Sequence, residues 1–202
     1  MTHKFSPERM ARLESPERHR NFPPEQLLRR FGVGLREGEV LLDVGCGPGF
    51  FALPAARLIG PSGRVIGIDT APEMVEAANG RAREAGVANL EVLRSEENTF
   101  PVADSAVDLL WIAFLAHELL EPVAFFRECR RVLRPGGRLA VIDWRKDPEA
   151  AEMGPALDER VGEEDVAEAL VSAGLALSER GRWNRFTFYI TAVRPAPDPG
   201  EA

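Results

Sequence analysis

A hydrophobic run, Val40-Leu41-Leu42-Asp43-Val44, passes directly into Gly45-Cys46-Gly47-Pro48-Gly49. Glycines at alternate positions let the chain turn sharply, adopt positive φ and admit a ligand close to the backbone. A strand that ends in such a turn ahead of a helix opens a βαβ unit. Ligands of these sheets sit beyond the carboxyl ends of the strands. A dinucleotide fingerprint needs Gly-x-Gly-x-x-Gly, and Phe50 stands where its third glycine falls. A purely structural tight turn is the alternative to a ligand cradle.

The rest of the chain agrees with an alternating α/β plan. Apolar runs at Arg64–Ile68, Leu90–Leu93, Val107–Ile112 and Arg138–Ile142 read as strands covered on both faces. Two final strands are expected at about 175–183 and 186–193. Helices fill the gaps. Thr70-Ala71-Pro72-Glu73 has the form of a capping box, and Gly86 is the expected end of the helix it opens. Pro122 opens another, with Val123, Phe126, Cys129 and Val132 at helical spacing, stopped by Arg134-Pro135-Gly136-Gly137. Glu163, Glu164 and Asp165 start a last helix ending near Gly174. The expected fold is α/β and doubly wound: a mostly parallel seven-stranded sheet with helices on both faces and the last strand antiparallel.

Three segments follow: residues 1–37 as an N-terminal helical segment, 38–194 as the sheet domain, and 195–202 as a tail, with Arg194 opening that Pro-rich stretch. In the first segment Ser6-Pro7-Glu8-Arg9 recurs as Ser15-Pro16-Glu17-Arg18, and Pro23-Pro24-Glu25 follows. Each reads as a helix start. These helices either pack on the core or form a lid over a site.

Composition narrows the function. Two cysteines, Cys46 and Cys129, make neither a disulfide framework nor a cysteine-rich metal site. The longest apolar run, Leu109–Ala116, is far short of the roughly 20 residues a membrane span needs. No signal peptide is legible, and a cytoplasmic location is expected. The net charge of −7 argues against broad nucleic-acid affinity. Residues 1–36 nevertheless carry eight Lys/Arg against four Glu, so an anionic partner stays open.

Asp69 ends the second strand, 20 residues past Gly49. A carboxylate there can accept both hydroxyls of a ribose. It can equally be an acid favoured near a helix start. With the glycine turn, this constellation resembles the class I S-adenosylmethionine-dependent methyltransferases of the small single-domain kind, over about residues 38–193. Four stretches carry the likeness: Asp43–Gly49, Gly67–Met74, Asp104–Leu110 and Arg131–Leu139.

The resemblance implies S-adenosylmethionine as cofactor and no metal. It places the turn of Gly45, Cys46, Gly47 and Gly49 under the methionine portion, Asp43 toward the ammonium, Asp69 on the ribose with Thr70 beside it, and Met74 near the adenine. The family's usual Gly-Asp pair after the third strand is replaced by Ser95-Glu96-Glu97-Asn98. Glu96 therefore fits the adenine-amine position with one methylene more, and Glu97 flanks it. Ala113 begins the methyl-transfer face.

His117 follows on that face and is the candidate proton acceptor. It can instead order backbone or pack beneath the cofactor. Asp143, Trp144 and Arg145 leave the fifth strand beside the same face, as substrate contacts or as packing. No Asn/Asp-Pro-Pro-aromatic motif follows the fourth strand, as amine-directed base methyltransferases carry, and no nucleophilic Cys stands there. The paucity of cysteines disfavours arsenite. The expected activity is methyl transfer to a small-molecule acceptor. Methylation of RNA or protein is one alternative, and a non-catalytic nucleotide-binding protein is another.

Overall fold

Period-two burial builds the sheet. In β1 (Val40–Val44) Leu41 packs to one face and Leu42 to the other, and the neighbouring strands follow the same alternation. The structure, a computed structural model, describes residues 15–31 and 36–196. It places β2 (Arg64–Asp69), β3 (Leu90–Arg94), β4 (Val107–Ala113), β5 (Leu133–Trp144), β6 (Ala176–Arg182) and β7 (Thr187–Val193) in one seven-stranded sheet of order β3-β2-β1-β4-β5-β7-β6. β1 to β5 pair in parallel, and β7 runs antiparallel to both β5 and β6. The chain order reverses between β2 and β4, on either side of β1. That is the switch point at which open α/β sheets form a crevice.

Helices cover both faces. α1 (Pro16–Asn21) and α2 (Pro24–Phe31) precede the sheet, followed by α3 (Ala52–Ile59), α4 (Pro72–Glu84), α5 (Pro122–Val132) and α6 (Glu163–Ser172). One face holds Leu42, Ile66, Leu110 and Val141 against Phe125, Phe126 and Cys129 of α5 and Val166 and Leu170 of α6. The other holds Leu41, Val65, Leu109, Trp111 and Ile142 against α2, α3 and α4. α2 belongs to this second core: Leu27, Leu28 and Phe31 are buried, Phe31 stacks on Tyr189 at 4.1 Å, and Arg30 pairs with Glu179 of β6. Ser15 caps α1 through an Oγ that accepts from the Arg18 amide. The earlier Ser6-Pro7 start and the tail from residue 197 lie outside the described residues.

Three local expectations change. Thr70 caps nothing: Ala71 takes the cap position of α4, and the Asp69 carboxylate accepts from the Ala71 amide in place of a hydroxyl. An acid two residues back forms this short turn without the threonine. Arg134-Pro135-Gly136-Gly137 ends α5 but does not interrupt the sheet. β5 already starts at Leu133, and an irregular register between Val107↔Leu133 and Leu109↔Arg138 absorbs the extra residues. Arg194 is anchored rather than loose. Its backbone pairs with Gly136 and Gly137, and its guanidinium donates to the carbonyls of Arg130 and Arg131 at the end of α5.

At the amino ends of the strands Arg138 Nη2 meets Glu39 Oε2 at 2.6 Å, both side chains almost wholly out of water. Removing one partner of a buried pair strands the other charge. Glu39→Ala should cost about 3–5 kcal/mol of stability by chemical denaturation, and Glu39→Leu combined with Arg138→Met should recover most of it. Equal stability of Glu39→Ala and the parent would show that the pair contributes nothing.

Candidate functional site

The glycine turn hangs from the end of β2. The amides of Gly45 and Cys46 both donate to the Ile68 carbonyl, at 2.8 and 3.0 Å. The Gly47 amide donates to Asp69 Oδ2 at 2.8 Å, while Asp69 Oδ1 accepts from Ala71 at 2.9 Å. Gly45 has φ +68°, and a Cβ there would lie 2.8 Å from the Leu115 side chain. Only glycine meets both demands. Cys46 tucks its thiol against Gly67, where a Cβ would stand 2.9 Å from the sulfur. Burial pushes that thiol well up, so it is a small packing group and not a nucleophile.

Above this turn lies a cavity of about 790 Å³. Its floor is Asp43, Gly45, Cys46 and Gly47. One end is Asp69, Thr70, Met74, Glu96 and Glu97, and the other end runs from Ala113 past His117 to Trp144. Of the residues singled out in the sequence, Gly49, Asp143 and Arg145 do not line it. Gly49 sits behind the turn against Leu53. Arg145 turns away, donating to the Arg185 carbonyl and pairing with Asp147.

Asp143 is fully buried beneath the wall. Its Oδ1 accepts from the Trp144 amide at 2.7 Å and contacts His117 Nδ1 at 2.8 Å, and its Oδ2 accepts from the His117 amide at 3.1 Å. It holds the histidine rather than reaching into the cavity. Burial alone would pull the His117 pKa down. The hydrogen bond and charge of Asp143 outweigh burial, and the net shift is upward.

Part of the lining was not legible. Ser15, Glu17, Arg18 and Phe22 come from the N-terminal segment, and Met153, Gly154, Pro155 and Glu159 come from the segment between β5 and α6. That segment is organised by Arg160, buried to 2 % exposure. Its guanidinium donates to the carbonyls of Arg145, Ala150, Met153 and Pro155. Gly154, at φ +93°, lies so close to Trp144 that a Cβ would stand 2.6 Å from the ring. Phe114 is a strained position in this lining, a non-glycine at φ 59° whose ring packs 4.8 Å from both Phe22 and Trp144. No local pattern announces Arg160 or Gly154. Phe114 was within reach because it follows Ala113.

The donor set fits an adenosyl amino acid. Each Asp69 oxygen accepts one backbone amide and keeps a lone pair for a hydroxyl. Asp43 is 2 % exposed, and its Oδ2 has no hydrogen-bond partner. Burial and the charge of Asp69 push its carboxyl well up, partly offset by the Ala52 amide. An uncompensated acceptor of this kind is expensive unless a donor meets it, and an ammonium is such a donor. The family model for a methyltransferase domain matches residues 35–180.

The chain belongs to this methyltransferase family.

A SAM-dependent methyltransferase from Aquifex aeolicus, known as a crystal structure, is 38 % identical, with a TM-score of 0.88. The match covers 95 % of this chain and 100 % of that one. An arsenite methyltransferase of Halobacterium salinarum is 39 % identical over 111 residues, or 55 % of this chain and 28 % of that protein. A ubiquinone/menaquinone biosynthesis C-methyltransferase, UbiE, of Pseudomonas putida is 34 % identical over 125 residues, or 60 % of this chain and 49 % of that protein. The chain thus spans half or less of the length of these two curated relatives. The methyltransferase's cofactor is S-adenosylmethionine. Asp43, Asp69 and the glycine turn line the cavity and are the groups that could hold it.

Two outcomes test the cofactor end. Asp69→Ala should weaken S-adenosylhomocysteine binding at least tenfold by calorimetry, because a doubly accepting carboxylate is lost; equal affinity would remove the ribose role. Asp43 must ionise to meet an ammonium, and its pKa lies above the usual range. Affinity should therefore fall as pH drops through that raised value, and Asp43→Asn should abolish this dependence.

Proposed function

We propose that this methyltransferase transfers the methyl group of S-adenosylmethionine to a small, largely apolar acceptor, with His117 as proton acceptor and Asp143 as its positioning residue. One observation carries the reading. The cavity continues from the cofactor end into an aromatic chamber walled by Phe22, Phe114, Trp144 and Met153, roofed by the chain's own N-terminal segment. Such a chamber suits a small molecule rather than a helix or duplex.

When bound, the cofactor supplies an activated methyl on a sulfonium that departs as a neutral thioether. The protein's main contribution is therefore alignment. Phe114 and Trp144 fix the acceptor's apolar body beside Ala113, and Phe22 excludes water from above. His117 Nδ1 is occupied by Asp143, so Nε2, 3.8 Å from Glu118 Oε1, is the ring nitrogen left for an acceptor. Nε2 can take the proton of a nucleophile that arrives as a hydroxyl or ammonium, and Asp143 stabilises the resulting imidazolium. Arsenite chemistry is not supported: Cys129 of α5 faces the core, Cys46 lies against Gly67, and both thiols are buried and pushed up. Among the described residues no cluster of three or more His, Cys, Asp or Glu side chains is placed to hold a metal ion. Among the same residues no helix is long and apolar enough to cross a membrane.

Incubation of a cell extract with methyl-labelled cofactor tests the acceptor class. Label should appear in the fraction that passes an ultrafiltration membrane and vanish with Asp69→Ala; label in RNA or protein would contradict the proposal. With an acceptor in hand, the rate should rise with pH because His117 must be neutral to accept a proton. Its inflection should lie above about 6.5, the unperturbed histidine value. Asp143→Asn should move that inflection to lower pH. His117→Ala should lower kcat by about 10²–10⁴ while leaving S-adenosylhomocysteine affinity within about threefold, as removal of a group acting on the acceptor alone should. A flat pH profile in the parent would remove the histidine from the chemistry.

A further inference from the structure

Arg18 supplies the one Lys or Arg side chain among the residues lining the cavity, and neither the fold nor the proposed chemistry accounts for it. It projects from α1 so that its Cζ stands 4.8 Å from the ring centroid of Phe50 and 4.9 Å from that of Phe114. The rings engage the guanidinium's faces, which leaves its in-plane N–H groups as the available donors. Nε is out of water with no hydrogen-bond partner, and among the described residues no carboxylate pairs with the group. Burial lowers its pKa to about 10. A cation held this way destabilises the site until an anion meets it.

Its mounting is rigid. Ser15 caps α1 on the near side, and Phe22 is buried against Phe114 and Trp144 on the far side. The Asn21 carbonyl accepts from Trp183 Nε1 at 3.0 Å and from Asn184 Nδ2 at 3.2 Å. The group is therefore preorganised rather than swinging in solvent.

The two aromatic supports are the chain neighbours of the cofactor floor. Phe50 follows Gly49 of the glycine turn, and Phe114 follows Ala113. In the same cavity Asp43 offers an unpartnered buried carboxylate oxygen. An α-amino acid carries an ammonium and a carboxylate on the same carbon. A cavity lined by both a carboxylate with an unpartnered oxygen and a guanidinium with no carboxylate partner is complementary to that pair.

We propose that Arg18 of the N-terminal segment binds the amino-acid carboxylate of the cofactor while Asp43 takes its ammonium. The first helix is then a working part of the cofactor site, outside the residues 35–180 that the family model covers. A planar carboxylate can meet the guanidinium edge-on with two parallel N–H···O bonds, which an ammonium side chain in its place could not reproduce.

The proposal rests on the cofactor assignment above, and the test separates the two. Calorimetry on the full chain compares S-adenosylhomocysteine with its decarboxylated form, which keeps the amine and lacks the carboxylate. The parent should bind S-adenosylhomocysteine at least tenfold more tightly than the decarboxylated form. In Arg18→Met, which keeps the apolar stem between the two rings, that preference should fall to twofold or less, and Arg18→Lys should retain an intermediate preference. A full tenfold preference surviving in Arg18→Met would overturn the proposal and assign the arginine to the acceptor or to packing. Failure of the parent to bind either ligand would instead overturn the cofactor assignment. If Arg18→Met fails to fold, Arg18→Lys decides alone: an undiminished preference at equal affinity overturns the bidentate contact.

Discussion

The Asp69 carboxylate holds the site in one piece. One oxygen takes the Gly47 amide from the turn after β1, and the other takes the Ala71 amide at the start of α4. Two elements that meet only at the carboxyl end of the sheet are thereby locked to each other. The turn itself is suspended from the Ile68 carbonyl, so its geometry follows from the register of β1 on β2. Three left-handed glycines, Gly45, Gly47 and Gly49, make the arrangement possible. Burial, and then the charge of the same carboxylate, raises the pKa of Asp43, whose Oδ2 meets no donor, so the floor of the cavity is under-satisfied. An under-satisfied acidic floor is poised for a cationic amino acid.

Around that floor the chain builds two further walls by long-range contacts. The N-terminal segment enters the second core through Leu27, Leu28 and Phe31 and sends Arg18 and Phe22 over the cavity. The segment after β5 is drawn into place by Arg160, whose buried charge is satisfied by carbonyls and softened by proximity to Asp143. Asp143 also orients His117 and the Trp144 amide. The cofactor end, the candidate base and the acceptor wall are therefore mechanically linked through β4 and β5. A change at Asp143 or Arg160 should be felt at the reacting centre although neither lines the cavity.

The sheet and the cofactor end were legible because they are written locally. Strand-turn-helix spacing marks Asp43 to Gly49, and a carboxylate at the end of β2 marks Asp69. Strand positions from apolar runs agree with the structure to within a residue or two in β1 to β4. Misreadings arose where a distant or unexpected partner decides. Thr70 has the sequence of a cap, yet Asp69 reaches the amide first. Pro135 and the glycines after it suggest a break, yet pairing with Arg194 carries the chain through a bulge into β5. Asp143 and Trp144 are adjacent in sequence and diverge in space, because alternate residues of a strand face opposite ways, and Arg145, just past the end of β5, turns to the Arg185 carbonyl and Asp147. Arg18 and Arg160 are single arginines in an arginine-rich chain, and only tertiary packing distinguishes them from solvated ones.

The most direct test of the account is calorimetric titration of the protein with S-adenosylhomocysteine, with NAD as control and melting followed in parallel. Micromolar binding of S-adenosylhomocysteine and no response to NAD are expected. At a ligand concentration of 100 times the dissociation constant, the stabilisation should be about 2.7 kcal/mol, or roughly 5–10 °C in Tm for a chain of this size. Absence of binding, or an equal response to NAD, would contradict the reading of the glycine turn, Asp43 and Asp69 as the seat of an adenosyl amino acid.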